Sequence, residues 1–482
     1  MGLQYDLILN GGRVIDAHSN IDEKVSIGIK SGRIERVSSD LNVCDASESI
    51  DLSGQWVIPG HIDTHAHVSG ISTVVDYAIG HKMLAKSGTT TVLDMAGTPS
   101  SLIDGIHRKG AGLNVAGLHA LIPGVTTHGS DMSPGVINTF VSDSLRSGCI
   151  GIKILGGHYP MTPAITRNII KSANEQMAYI AYHVGTKETG SNVFGVREIP
   201  DLLGTGRLHV CHVNSYCRGS VYSPEKECQL SIEVLKDLGP QVVSEVYHAV
   251  ANGTGGACDR NGEVVSNVTR NSLIARGYEP TINGMESAFI DRYVSVLVAK
   301  EDEMVHITGP DGLREYRNLS TVCGVSFPVN VKSSSETLTS ARFANEEFVV
   351  DAISTDGGVH PRNVAIESAM GMVRSGKLTP IEMVKKLCWN PSLMLGLENK
   401  GHISEGADAD ITVIDPNTGV ASRTFVMGET IMKDGIVIGK SGRLLTTLAG
   451  ETSAHNSGLE YQIIDIKKFT FGFSRSPNNN AL

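Results

Sequence analysis

Eight short apolar segments recur through the middle of the chain, at 57–65, 90–95, 114–120, 149–155, 178–184, 207–213, 242–247 and 349–355. The first seven start 24 to 35 residues apart. That spacing holds one strand, one helix and two turns, so the stretch reads as successive βα units. Eight such units predict a closed (β/α)8 TIM-like barrel of α/β class, with its active site at the C-terminal ends of the strands. The last interval is 107 residues, which predicts an insertion at about 248–348. It opens on Asn252-Gly-Thr-Gly-Gly and reads as a lid or substrate loop.

Both flanks have a different texture. Tyr5-Asp-Leu-Ile-Leu-Asn-Gly-Gly and Val25-Ser-Ile-Gly-Ile alternate and turn, as do Ala409-Asp-Ile-Thr-Val-Ile-Asp and Thr430-Ile-Met-Lys-Asp-Gly-Ile-Val-Ile. This predicts one small β-sandwich domain built from both termini, 1–57 and 400–470, around a barrel at 58–399. The polar tail 474–482, with three consecutive Asn, is expected to be disordered.

The charge balance narrows the partners. Forty-one Lys and Arg against 51 Asp and Glu leave a net charge of −10, with no dense basic run. That argues against nucleic acid and against an anionic membrane surface as partners. No stretch of about 18 apolar residues is present to span a membrane. Met1–Val14 has no basic region of the kind that opens a signal peptide. The eight Cys form no C-x-x-C pair, so free thiols and a cytoplasmic location are expected.

Chemistry gathers at the predicted strand ends. His65 and His67 are two apart on the first strand, so both imidazoles face one side. Alone, such a pair in a chain with 17 His is weak; its position strengthens it. The fourth strand carries Lys153 in an apolar run, where a charge is costly. Two readings stay open for it: a carbamate formed with CO₂ that bridges two metals, or an amine reaching a neighbouring carboxylate. The fifth strand ends at His183, the sixth at His212 and the eighth at Asp356. His209 and His212 point to opposite sides, and His212, nearer the strand end, is the expected ligand. Imidazoles, a carbamate and a carboxylate together would hold two divalent metals, zinc by donor type.

These residues resemble the amidohydrolase superfamily. Pro59-Gly-His-Ile-Asp-Thr-His-Ala-His is similar to its opening motif. Gly88-Thr-Thr-Thr-Val-Leu-Asp-Met, Gly151-Ile-Lys, His212-Val-Asn-Ser and Ser354-Thr-Asp resemble its dihydroorotase and hydantoinase branch. Asn390-Pro-Ser-Leu-Met-Leu-Gly-Leu and the run from Gly401 also fit, and the likeness extends from about 5 to 440. The 29-residue gap from His183 to His212, the long insertion, Tyr159-Pro and His360-Pro-Arg are similar to D-aminoacylases. Those enzymes carry a Cys where this chain has Asp94, and they lack the Lys of the fourth strand.

The resemblance implies hydrolysis of an amide C–N bond in a small molecule. A metal-bound hydroxide attacks, and Asp356 serves as general acid and base. His158, Tyr159 and His248 are the candidate oxyanion donors. Arg218, Arg362 and Arg260 are the candidate clamps for a substrate carboxylate. An N-acyl (D-)amino acid is the first substrate expected, and ring opening of a hydantoin-like, dihydropyrimidine-like or dihydroorotate-like cyclic amide the alternative. Heterocycle deaminases of the superfamily lack such a Lys, and non-catalytic relatives have lost ligands that this chain keeps. Relatives form dimers or tetramers, so a homo-oligomer is expected.

Overall fold

A computed structural model of the chain describes residues 4–70, 75–95 and 97–469. The expected tail, 474–482, lies outside them. Eight parallel segments form the barrel in chain order. They are β1 (His61–His67), β2 (Thr89–Asp94), β3 (Ala111–Leu121), β4 (Gly151–Leu155), β5 (Tyr179–His183), β6 (Leu208–Val210), β7 (Val242–Val246) and β8 (Ala352–Ile353). Every residue of β2 is buried, and all but Leu93 and Asp94 are β-branched, which suits a strand packed on both faces.

The ring closes through β8 and the residues just after it. Ala352 and Ile353 pair with β7, and Gly357 and Gly358 pair with β1. The Asp356 N–H donates to the His65 carbonyl at 2.8 Å. Asp63 accepts the Thr355 N–H at 3.1 Å and the Thr355 hydroxyl at 2.5 Å. The first and last strand ends are therefore stitched by backbone and side-chain bonds alike.

Five helices around the barrel begin on the same local signal. Thr98, Ser133, Thr162, Ser223 and Thr379 each cap a helix that starts with Pro. The cap oxygen accepts an otherwise orphaned N–H, and Pro supplies the helical φ without needing a donor. These helices bury one apolar face against the strands; Ile169, Ile170 and Ala173 do so on Pro163–Glu175.

Both termini build the β domain. Tyr5–Asn10 lies in a four-stranded sheet with Ser26–Lys30, Arg33–Ser38 and Ala46–Asp51. A second, seven-stranded sheet joins Arg13–Asp16 and Trp56–Pro59 to Ile411–Ile414 and Ala421–Val426. Leu7, Ile27 and Ile29 of the first sheet share a core with Val57, Ile411 and Phe425 of the second.

Three element boundaries differ from the sequence reading. The first segment, 57–65, is two strands: Trp56–Pro59 belongs to the β domain, and β1 begins at His61. Gly60 marks the change, because a Cβ there would lie 2.2 Å from Thr90 Oγ1. The segment 207–213 is a strand only to Val210 and then turns. Within 400–470, Ser441–Thr447 leaves the β domain and pairs in parallel with the N-terminal half of β3, carrying Glu460–Ile464 with it.

The long β7–β8 connection is a folded unit. Ala251–Gly255, Gly324–Pro328, Ser295–Lys300 and Glu303–Thr308 form a four-stranded antiparallel sheet. Met285, Phe289, Tyr316 and Phe327 lie in its own core. This unit stands over the C-terminal ends of the barrel strands and supplies one wall of the cavity there.

Candidate metal centre and active-site cavity

A cavity of about 1110 Å³ opens at the C-terminal ends of the strands. His65, His67, Lys153, His183, His212 and Asp356 all face into it, as do His158, Tyr159, Arg218 and Arg362. The long connection adds Asn252, Thr254, Asn271 and Asn330.

At the base of the cavity three donors converge. His67 Nε2 lies 2.9 Å from Asp356 Oδ1, and His65 Nε2 lies 3.3 Å from the same oxygen. His212 stacks on His65 with ring centroids 5.0 Å apart, and donor atoms of His65, His212 and Asp356 lie within 4.8 Å of one another. His183 stands edge-on to His212 at 4.4 Å. Burial, above all, pushes His65, His183 and His212 well below the ordinary imidazole range, which keeps them neutral. Burial alone would raise the Asp356 carboxyl. Arg362, His65, the hydrogen bond with His67 and His212 outweigh it and hold the carboxyl well below the usual range.

Neutral imidazoles and an ionised carboxylate are the donor set of zinc. The buried Nδ1 atoms of His67 and His212 have no hydrogen-bond partner among the described residues. The residues therefore fit a bound divalent cation. Loop packing protects the arrangement: a Cβ on Gly157 would lie 2.0 Å from His183 Nε2.

Lys153 is fully buried. Its amine donates to Cys211 Sγ at 2.7 Å and to Met95 Sδ at 3.1 Å. It makes no ion pair among the described residues, so the expectation of an amine held by a carboxylate is not what the fold provides.

Arg218 donates to Asn330 Oδ1 at 2.8 Å, Asn252 Oδ1 at 3.0 Å, Ser215 Oγ at 3.1 Å and the Tyr247 hydroxyl at 3.3 Å. All four acceptors are neutral. Arg362 is buried, pairs with Asp356 Oδ2 at 2.8 Å and lies 5.0 Å over the Tyr247 ring. His158 packs against His183, and burial lowers it to about 4; Tyr159 is 41% exposed at the rim. Neither His248 nor Arg260 lines the cavity. His248 Nε2 is 2.9 Å from Thr339 Oγ1, and Arg260 is exposed in a turn.

Two residues here escaped the sequence reading. Glu245 on β7 lies 2.7 Å from His65 Nδ1, and His360 stands edge-on to His67 at 5.9 Å. Glu245 carried the signal that singled out Lys153, a charged residue inside an apolar strand. His360 stands in the run His360-Pro-Arg, which on sequence supports only a likeness.

A closed barrel, a β domain from both termini and a ring of imidazoles with one carboxylate at the strand ends make up the candidate site. Residues 282–443 match the amidohydrolase family. A dihydroorotase of Geobacter metallireducens is 25% identical over 440 residues, covering 85% of this chain and 90% of that protein. A D-aminoacylase structure, studied for its binuclear metal centre, superposes with a TM-score of 0.62 at 16% identity, over 91% of this chain and 99% of that one. A D-hydantoinase structure superposes with a TM-score of 0.58 at 17% identity, over 91% and 98%. The resemblance read from the sequence stands. No helix among the described residues is long and apolar enough to cross a membrane.

Proposed function

We propose that this chain is a metal-dependent amidohydrolase that cleaves an amide C–N bond in a small carboxylate-bearing substrate. One observation carries the reading: His65 Nε2 and His67 Nε2 both converge on Asp356 Oδ1 at the base of the cavity. His65, His67, His183, His212, Asp356 and Lys153 would hold two cations, with zinc favoured by the donor types. Bound there, the cations would supply Lewis acidity toward the amide carbonyl and acidify a water.

The chain's own residues do the rest. Asp356, kept ionised by its surroundings, takes the proton of the attacking water and passes it to the leaving nitrogen. Arg362 holds that carboxylate in place. Neutral His158, which lines the cavity with Tyr159 at the rim, would donate toward the developing oxyanion. Arg218, whose hydrogen-bond acceptors among the described residues are all neutral oxygens, would pair with a substrate carboxylate. Lys153 has no anionic partner among the described residues, and its N6-carboxylation would supply an anion for the cations there.

We assign N-acyl (D-)amino acids as the first substrate class, since the 29-residue gap from His183 to His212 and the run His360-Pro-Arg are similar to D-aminoacylases. Cyclic amides are the second reading, favoured by the dihydroorotase relatives. Assays of zinc-loaded protein on N-acetyl-D-amino acids, dihydroorotate and hydantoins decide between them. Turnover of the linear amides is expected, and ring opening alone would overturn that choice. Failure on every amide, with zinc bound, would overturn the hydrolase reading. Size-exclusion chromatography with light scattering tests the proposed dimer or tetramer.

A further inference from the structure

We infer that Glu245 is a positioning residue that sets the tautomer of His65 and pins the backbone of His212, orienting imidazoles from two strands with one carboxylate. The inference rests on the metal-centre reading above. Glu245 is fully buried on β7 and does not line the cavity.

Its two oxygens meet donors on three different strand ends. Oε1 lies 2.7 Å from His65 Nδ1 and accepts the His212 N–H at 2.6 Å. Oε2 accepts the Ser354 hydroxyl at 2.6 Å. A carboxylate can only accept, so the proton between Glu245 and His65 belongs on Nδ1. The lone pair is then on Nε2, the nitrogen that faces Asp356 at 3.3 Å. An anion behind an imidazole also makes that imidazole a better ligand.

The bond to His212 acts on the backbone. His212 has φ 33° and ψ 61°, a left-handed conformation sparsely populated by residues with a Cβ. This turn ends β6 and carries the ring against His65 and His183. A charge-assisted bond to the His212 N–H holds the turn. Ser354 lies two residues before Asp356, so the same carboxylate also anchors the end of β8.

The first test needs no variant. Long-range ¹H–¹⁵N correlation on metal-stripped, ¹⁵N-histidine-labelled wild type reads each tautomer, with His65→Gln used only to assign the signal. Protonation of His65 at Nδ1 is expected, and protonation at Nε2 would overturn the inference. Glu245→Gln keeps the shape and removes the charge. Its zinc affinity, by chelator competition, should fall about 10- to 100-fold with the wild-type number of zinc ions still bound at saturation. Unchanged affinity, or loss of one zinc ion altogether, would overturn the positioning role. If wild type binds no zinc, the metal-centre reading fails instead, while the tautomer measurement still decides what Glu245 does to His65.

Discussion

His67 Nε2 and Asp356 Oδ1 lie 2.9 Å apart across the seam where the barrel closes, joining residues 289 apart in the chain. The seam and the donor cluster are thus one structure. The stitching by Asp63, Thr355 and the Asp356 N–H sets the site as it closes the sheet.

Asp356→Asn keeps the size of the side chain and removes the proton acceptor. Loss of general acid–base action should lower kcat about 10²- to 10⁴-fold. Steady-state kinetics on a turned-over amide, with zinc content measured alongside, separates this from simple loss of metal.

Arg218→Ala should raise KM for a carboxylate-bearing substrate and leave the neutral amide analogue little affected. Losing a charged hydrogen-bond donor is worth about 1.5–3 kcal/mol, or roughly a 10- to 150-fold drop in kcat/KM. Equal losses on both substrates would show that Arg218 holds up the cavity wall and does not read the carboxylate.

Lys153 can be tested by metal stoichiometry and by ¹³C NMR of protein equilibrated with ¹³CO₂. Two metals per chain and a carbamate resonance are expected in wild type. Lys153→Ala should hold one metal or none. One metal in both proteins would remove the bridge from the mechanism.

His81 makes a stability prediction away from the site. Its ring is buried, neither nitrogen has a partner among the described residues, and burial lowers it to about 4 from 6.5. Above pH 6.5 the ring is neutral whether folded or unfolded. Between 6.5 and 4 the unfolded chain takes up a proton that the folded one refuses, so stability falls by up to about 1.4 kcal/mol per pH unit from this group. His81→Leu should flatten that part of the profile in denaturant titrations across pH 4 to 8.

Lys400 is fully buried between Asp408 at 2.8 Å and Asp410 at 2.6 Å. Asp410 also accepts from Asn114 of β3 at 2.9 Å, so the cluster ties the chain's return segment to the barrel. Lys400→Met leaves Asp410 buried without its cation and Asp408 with Arg33 alone, at 3.1 Å, and should destabilise by about 3–5 kcal/mol, read as a lower unfolding midpoint.

Local chemistry by itself determined the barrel: each of the eight apolar segments contains or overlaps a strand, because burial on both faces demands uninterrupted apolar, β-branched runs. The pair His65 and His67 was equally legible, since alternation on a regular strand is a local rule. Parity could not settle His212. The strand ends at Val210 and the backbone turns left-handed, so the side His212 faces is set by a contact with Glu245 on a neighbouring strand. Nor could local pattern show that Lys153 meets two sulfurs, that Arg218 meets four neutral acceptors, or that His248 does not line the cavity. Those outcomes depend on residues tens to hundreds of positions apart meeting at 3 Å, and only closure of the barrel brings them together.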